Sequence, residues 1–202
     1  MKKAKLFSVI FFLFQVIHCN AQKEEAQLEY QNDNLIKELG IGLVQLVNPN
    51  EKIILYSYSS CKTIKTNQAK IGKDIIPILN KPDYSIQFFI CSEKNNKYFK
   101  IVTSIGKYAY IKPTQKYLYY DWYDFLKNQV TSIENKNISF NPLFDKMNGK
   151  VITIKNIQSD DEIEVIEIKG DWLNVKNTTL NKEYWIKWRE KNNLLVYLNL
   201  LM

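Results

Sequence analysis

Apolar and polar residues alternate with a period of two along most of this chain, the period of a strand with one buried face. Ile163-Glu164-Val165-Ile166-Glu167-Ile168 keeps it most strictly, and Lys52–Tyr58 keeps it nearly as well. Ile86–Cys91 and Tyr98–Thr103 are β-branched and aromatic runs of strand length. Leu43–Val47 is a strand-like tail on a short helical pattern that begins at Leu35. Turn chemistry punctuates these runs at Asn48-Pro49-Asn50, Lys81-Pro82-Asp83, Glu93-Lys94-Asn95-Asn96, Ile105-Gly106-Lys107 and Met147-Asn148-Gly149-Lys150. Ile75–Leu79 reads as a strand with an edge proline, and 64–71 as a polar loop. The best helical segment is 121–127, where Asp121 is placed as N-cap and Trp122, Phe125 and Leu126 share one face.

The densest pattern is Lys169–Arg189, a predicted hairpin. A Gly170-Asp171-Trp172 turn leads into one strand, and Tyr184-Trp185-Ile186-Lys187-Trp188 forms its partner. Alternation puts Trp185 and Lys187 on one face of that strand and Ile186 and Trp188 on the other. One tryptophan therefore faces outward or packs against a neighbouring domain. A weaker copy occupies 96–112: Tyr98-Phe99-Lys100-Ile101 parallels Asp171-Trp172-Leu173-Asn174-Val175, and Tyr108-Ala109-Tyr110-Ile111-Lys112 parallels Glu183-Tyr184-Trp185-Ile186-Lys187. Upstream, Pro49–Leu55 parallels Met147–Thr153, and Ile86–Ile90 parallels Val165–Ile168. A repeat of about 75 residues is too long for a stacked solenoid unit and predicts two domains. Domains this small avoid open edges by closing a sheet of short strands.

The second copy resembles the bacterial SH3-like domain, the Src-homology-3-like barrel of exported bacterial proteins. Gly170-Asp171-Trp172-Leu173-Asn174-Val175 matches that family's Gly-Asp-Trp-x-x-Val segment. Tyr184-Trp185-Ile186 matches its Gly-Trp-Ile segment, with tyrosine in place of the first glycine. The likeness spans about 140–202; in the first copy it is weak, with Tyr98 standing where Trp172 stands. It implies a mainly β fold of two small SH3-like β-barrels in tandem, with one short helix at about 121–127 between them. The expected layout is a signal peptide at 1–21, a flexible leader at 22–34, a divergent β domain at 35–127, a linker at 128–140 and a barrel at 141–202.

The signal peptide is read from Lys2, Lys3 and Lys5, an apolar run from Leu6 to Ile17, and a cleavage site after Ala21. That run is about a dozen residues, short of the roughly 20 that cross a bilayer as a helix. The region resembles that of exported proteins of Bacteroidetes type. Lipidation at Cys19 is disfavoured, because the bulky His18 precedes it where a small residue is wanted. The expectation is a periplasmic or extracellular protein without stable membrane insertion after signal cleavage.

Composition then narrows the chemistry. Removing Lys2, Lys3 and Lys5 with the signal lowers the formal net charge from +7 to +4. A modest excess scattered along the chain argues against nucleic acid as a partner. The single histidine, His18, leaves with the signal, taking with it the commonest general base and metal ligand. No Gly-rich phosphate loop occurs, so neither a cofactor nor a metal is expected. Two carboxylate clusters, Asp160-Asp161-Glu162 and Asp121 with Asp124, read as a turn tip and helix-cap chemistry rather than as an acid/base pair. Cys61 and Cys91 are either a disulfide, closing a loop worth roughly 3–4 kcal/mol, or two buried thiols.

The resemblance implies a non-catalytic envelope module that recognises a cell-wall peptide or another extended ligand through aromatic residues. The candidate contacts are Trp172, Tyr184, Trp188, Tyr98, Tyr110, Tyr120 and Trp122. Peptidoglycan or an envelope protein is the expected partner. The alternative is an interaction protein whose two docked barrels bind or regulate an envelope partner.

Overall fold

The computed structural model describes residues 30–152 and 163–200. The expected signal peptide, residues 22–29 of the expected leader and the carboxylate cluster at 160–162 (except for its neighbour Ile163) lie outside the described residues. The fold is mainly β, as the period of two predicts. In the first half the strands are β1 (Gly42–Leu46), β2 (Leu55–Tyr56), β3 (Ile64–Thr66), β4 (Leu79–Lys81), β5 (Ile86–Lys94), β6 (Phe99–Ser104), β7 (Lys107–Ile111) and β8 (Tyr117–Asp121). Helix α1 (Trp122–Asn128) follows directly. Then come β9 (Ser132–Asn135), β10 (Leu143–Phe144), β11 (Val151–Ile152), β12 (Ile163–Lys169), β13 (Trp172–Asn177), β14 (Lys182–Lys187), β15 (Arg189–Glu190), β16 (Asn193–Leu194) and β17 (Val196–Asn199).

One strand path occurs twice. The first sheet runs β3-β2-β7-β6-β5 and the second β11-β10-β14-β13-β12. Each is a three-stranded meander whose last strand also pairs with the first strand of an earlier hairpin. Both meanders carry a β-bulge at the same place, between Cys91 and Glu93 in one and between Val165 and Glu167 in the other. The pair before the first bulge is Cys91↔Ile101, and the pair before the second is Val165↔Val175. The offset between these pairs is the same on both strands and close to the repeat length read from the sequence. It corrects the parallel drawn for β5: Cys91, not Ile86–Ile90, stands where Val165 stands. A bulge adds one unpaired residue and deepens the local twist, so its recurrence at one register supports a duplicated unit.

The first sheet is the larger. Its longest strand is β5; β4 and β6 share one of its edges, and β1 followed by β8 extends the other. The approach of β1 to its neighbours is close. A Cβ at Gly42 would lie 2.3 Å from Tyr120 O, and one at Gly40, which has φ +56°, would lie 2.2 Å from Cys91 O. Only glycine fits either position.

Closed barrels are not what the described pairings form. Both strand paths are open, and the edge strand β12 meets α1 and β9 by packing rather than by a ladder. The cause is the apolar surface between the halves. Val44, Leu46, Leu55, Phe89, Ile101 and Ile111 form a core private to the first half. The opposite face of the same sheet presents Leu43, Phe88, Ile90 and Val102 to a second core. That core also takes Phe125 and Leu126 of α1 and Val165, Val175, Ile186 and Leu198 of the second half. Two separate barrels would leave this face wet.

Helix α1 forms as its sequence predicts. Asp121 caps it by accepting a hydrogen bond from Asp124 N at 2.8 Å, and Trp122, Phe125 and Leu126 are buried. Trp122 donates Nε1–H to Leu39 O at 2.8 Å and lies 5.1 Å, centroid to centroid, from Trp188. Trp188, 1% exposed, donates its own Nε1–H to Gly170 O at 2.9 Å.

The expected linker and leader need correction for the same reason. Residues 132–135 of the linker are β9, which pairs antiparallel with β17 from Val196↔Asn135 to Asn199↔Ser132. At the leader's end, Gln31 bridges Leu79 and is buried. Its amide donates to Val196 O at 3.2 Å and accepts from Leu198 N at 2.9 Å. Asp33 closes the strap with an ion pair to Lys136. Scattered apolar residues in these polar stretches, chiefly Ile133 and Tyr30, are enough to dock them on the shared core. Residues 64–66, expected as loop, pair with β2, and in 75–79 only Leu79 belongs to a strand, with Ile75 in an isolated bridge.

The disulfide is also corrected. Cys61 and Cys91 are both free and buried. Cys91 lies in β5 within the private core and donates Sγ–H to Glu93 O at 3.3 Å, while Cys61 occupies a left-handed turn at φ +51°. Burial pushes the Cys91 thiol up to about 12.

The shared core makes Trp188→Ala a test of the whole chain, which it should destabilise by about 3–5 kcal/mol. One cooperative urea transition should move down; an unchanged signal from the first half would contradict the shared core. Alkaline pH should also destabilise the fold. Between the ordinary thiol range near 9 and the folded value, the unfolded chain loses the Cys91 proton while the folded chain keeps it. Stability therefore falls as pH rises through that window, by about 1.4 kcal/mol per unit at most. In Cys91→Val the fall just above pH 9 should be smaller, since the Cys61 thiol, also raised by desolvation, still contributes. It should steepen above pH 10, where the buried phenols of Tyr30 and Tyr117, both raised by desolvation, begin to act. Urea midpoints from pH 7 to 11 would measure it.

Candidate functional site

The repeated strand path places a repeated row of side chains on the outward face of each meander. In the first half the register runs Glu93↔Lys100, Lys100↔Tyr110, Tyr110↔Tyr56, Tyr56↔Ile64 across β5, β6, β7, β2 and β3. In the second it runs Glu167↔Asn174, Asn174↔Trp185, Trp185↔Phe144, Phe144↔Val151 across β12, β13, β14, β10 and β11. Residues directly opposite one another share a face. Each row is thus a glutamate, a polar residue, two aromatic residues and an exposed β-branched residue. Ile64 and Val151, at the ends, are 55% and 57% exposed.

A third ring joins each row from the neighbouring register. Tyr98 meets Tyr110 edge to face at 5.2 Å, and Trp172 meets Phe144 edge to face at 5.1 Å. Trp172, Trp185, Phe144 and Tyr110 are half-buried, Tyr98 sits at the margin of the first cluster, and Tyr56 is buried. Edge-to-face pairs of this kind are worth about 0.5–1.5 kcal/mol beyond burial. In each pair the edge of one ring packs on the face of the other, which fixes both rings and leaves them half-exposed.

Lysines border both clusters. Lys112 stands 5.0 Å from the Tyr56 ring and Lys100 4.5 Å from that of Tyr108. Lys187 stands 5.5 Å from the Trp172 ring and Lys169 5.2 Å from that of Trp185. The charge balance differs between halves. Lys169 pairs with Glu167 at 2.7 Å and Lys187 with Glu190 at 3.8 Å, whereas Lys100 and Lys112 form no ion pair among the described residues. Glu93 instead accepts a short hydrogen bond from the Tyr98 hydroxyl, which holds that phenol above its ordinary range. Tyr108 donates to Glu38 at 2.7 Å and is raised in the same way.

The residues expected to contact a ligand separate by face. Trp172, Tyr98 and Tyr110 lie in the two outward clusters. Tyr184, Trp188 and Trp122 are 2%, 1% and 7% exposed and belong to the shared core. They correct the expectation for those three: Tyr184, Ile186 and Trp188 point inward together because strand residues two apart share a face. Tyr120 is half-buried beside Phe88 and Phe125 and donates its hydroxyl to Gln45 Oε1 at 3.2 Å, so it serves packing between β1, β8 and α1.

Trp185 takes the outward place expected of Trp188. Strict alternation from Ile186 finds it. Phe144 and Tyr56 carry no such signal, because the shortest strands have no readable period and only pairing with β14 and β7 brings them to the rings. The Gly-Asp-Trp turn has a structural task of its own. Asp171 binds Arg189 at 2.5 Å, and Arg189 lies 4.7 Å over Trp188, fixing the exit of β14.

Chemically the clusters offer flat apolar faces, cations at their rims and hydrogen-bonding edges. Asn174 Oδ1 is buried without a partner, while its amide donates to Glu183 at 3.3 Å. Left without a partner, that acceptor costs about 1–3 kcal/mol. Among the described residues no three His, Cys, Asp or Glu side chains are grouped to hold a metal ion. Among those residues, too, no helix is long and apolar enough to cross a membrane.

No protein-family model, curated protein or solved structure matches the chain.

Proposed function

We propose that the chain is an exported, non-catalytic binding module of the bacterial cell envelope that recognises a wall peptide or a similar extended ligand. The observation that carries this reading is the outward cluster of Phe144, Trp172 and Trp185 on β10, β13 and β14. Half-exposed rings held edge to face suit an extended chain, which lays apolar groups on the rings. Aromatic residues of this kind dominate binding energy where a few contacts carry most of it.

A second reading has its own support. The halves are docked through Trp122 and Trp188, and the Tyr-rich β8 that leads into α1 is largely used for packing. A rigid double unit of this sort suits an interaction protein that positions or regulates an envelope partner.

Pull-down on purified peptidoglycan separates the two. The full chain should be retained, and Trp172→Ala with Trp185→Ala should weaken retention at least tenfold, about 1.4 kcal/mol, with little change in thermal midpoint. Retention only by a protein from an envelope extract would favour the second reading. Hydrolysis of wall material by the purified chain would overturn both.

A further inference from the structure

The proposal above rests on one aromatic face; the first half carries another built to the same plan. We infer that Tyr98 and Tyr110, backed by the buried Tyr56 and flanked by Lys100 and Lys112, form a second binding site on each chain, for extended peptides with free carboxylates. This inference rests on the wall-peptide reading and adds both a site and a ligand chemistry to it.

The equivalence is positional throughout. The rows cross homologous strands in one order, and the bulge that aims their glutamates recurs at one register. Tyr110 stands for Trp185, Tyr56 for Phe144 and Tyr98 for Trp172, and the edge-to-face distances are nearly equal at 5.2 Å and 5.1 Å. Lys112 follows Tyr110 by two positions as Lys187 follows Trp185, although Lys112 stands over the ring on β2 and Lys187 over the ring on β13. Nothing in the private core requires the rings of Tyr98 and Tyr110: the inward residues of β6 and β7 are Phe99, Ile101, Ala109 and Ile111.

The differences define the ligand. Lys100 occupies the place of Asn174, turning an acceptor into a cation. The row's one glutamate accepts from Tyr98 and forms an ion pair with neither Lys100 nor Lys112, which outnumber it. Lys65 adds a third ammonium nearby, donating to Tyr108 O at 3.4 Å. The second-half lysines are balanced by Glu167 and Glu190. Unpaired cations beside aromatic faces attract carboxylates on an extended ligand and strengthen their hydrogen bonds. The two sites therefore share a ligand backbone and differ in their dependence on its charge.

Calorimetric titration of the full chain with a soluble wall stem peptide tests this, alongside the same peptide with its carboxylates amidated. Two equivalents per chain are expected. Trp172→Ala with Trp185→Ala should leave one equivalent, weakened at least fivefold by amidation. Lys100→Asn with Lys112→Gln, which keeps every ring and puts at position 100 the residue found at 174, should leave one equivalent that amidation barely changes. Unchanged circular dichroism in each variant confirms folding. A single equivalent, lost with the tryptophans and indifferent to both lysines, would overturn the second site and leave the wall-peptide reading standing. No binding at all would overturn both. Heparin bound at the tyrosine face more tightly than the peptide would overturn the peptide assignment in favour of a general polyanion surface.

Discussion

Trp122 and Trp188 meet at 5.1 Å in the middle of the chain's larger core, and the arrangement of the molecule depends on that contact. Each indole is fixed by a hydrogen bond to its own half, Trp122 to Leu39 O and Trp188 to Gly170 O. Neither can turn away without leaving a buried donor unpaired. The contact therefore joins the halves rigidly, and it explains why neither sheet closes on itself. The apolar face of the first sheet is covered by α1 and the second half, which removes the need for barrel closure. Gln31 and the Asp33–Lys136 pair tie the same seam with polar groups at its edge.

In the second half the rings lie on the face turned away from the shared core. In the first half they lie opposite the private core, on the face that docks on the shared core at Val102. The duplicated strand path carries a duplicated row of rings outward, and the two copies have diverged mainly in charge. Tyrosines stand in the first half where the second has Trp172, Trp185 and Phe144, and a lysine replaces an asparagine at the centre of the row. The bulges after Cys91 and Val165 matter here, because they shift the register by one and bring Glu93 and Glu167 onto the ring face. A duplication kept at the level of strand order and bulge position, with altered side chains, gives one scaffold two related surfaces.

Legibility in the sequence follows the length of each element. Long β-branched and aromatic runs such as 163–168 and 86–91 declare themselves, as does α1 through its cap and apolar face. The hairpin repeat points directly to Trp172, Tyr98 and Tyr110. Trp188 and Tyr184 look like surface residues by resemblance, although their spacing from Ile186 puts them inside. Phe144, Tyr56 and β9 escape notice because their strands are too short to show a period. The fate of the cysteines is equally hidden: both lie in strand-like or turn segments of the first half, yet they remain separate thiols.

The mainly β character, the long internal repeat, the helix that begins at Trp122 and the lack of histidine beyond position 18 all follow from the residue order alone. These are local properties, written in periodicity, capping and composition. Long-range packing settled the rest: that the halves share a core, that the 128–140 stretch pairs rather than links, and which of Trp185 and Trp188 faces water. Burial of a strand face is decided by what packs on it, and that partner is not encoded nearby. On β14 the face of Trp185 also carries Glu183 and Lys187, while Tyr184 and Ile186 face the core. The residue that packs on Trp188 is Trp122, far earlier in the chain and on the other side of the seam.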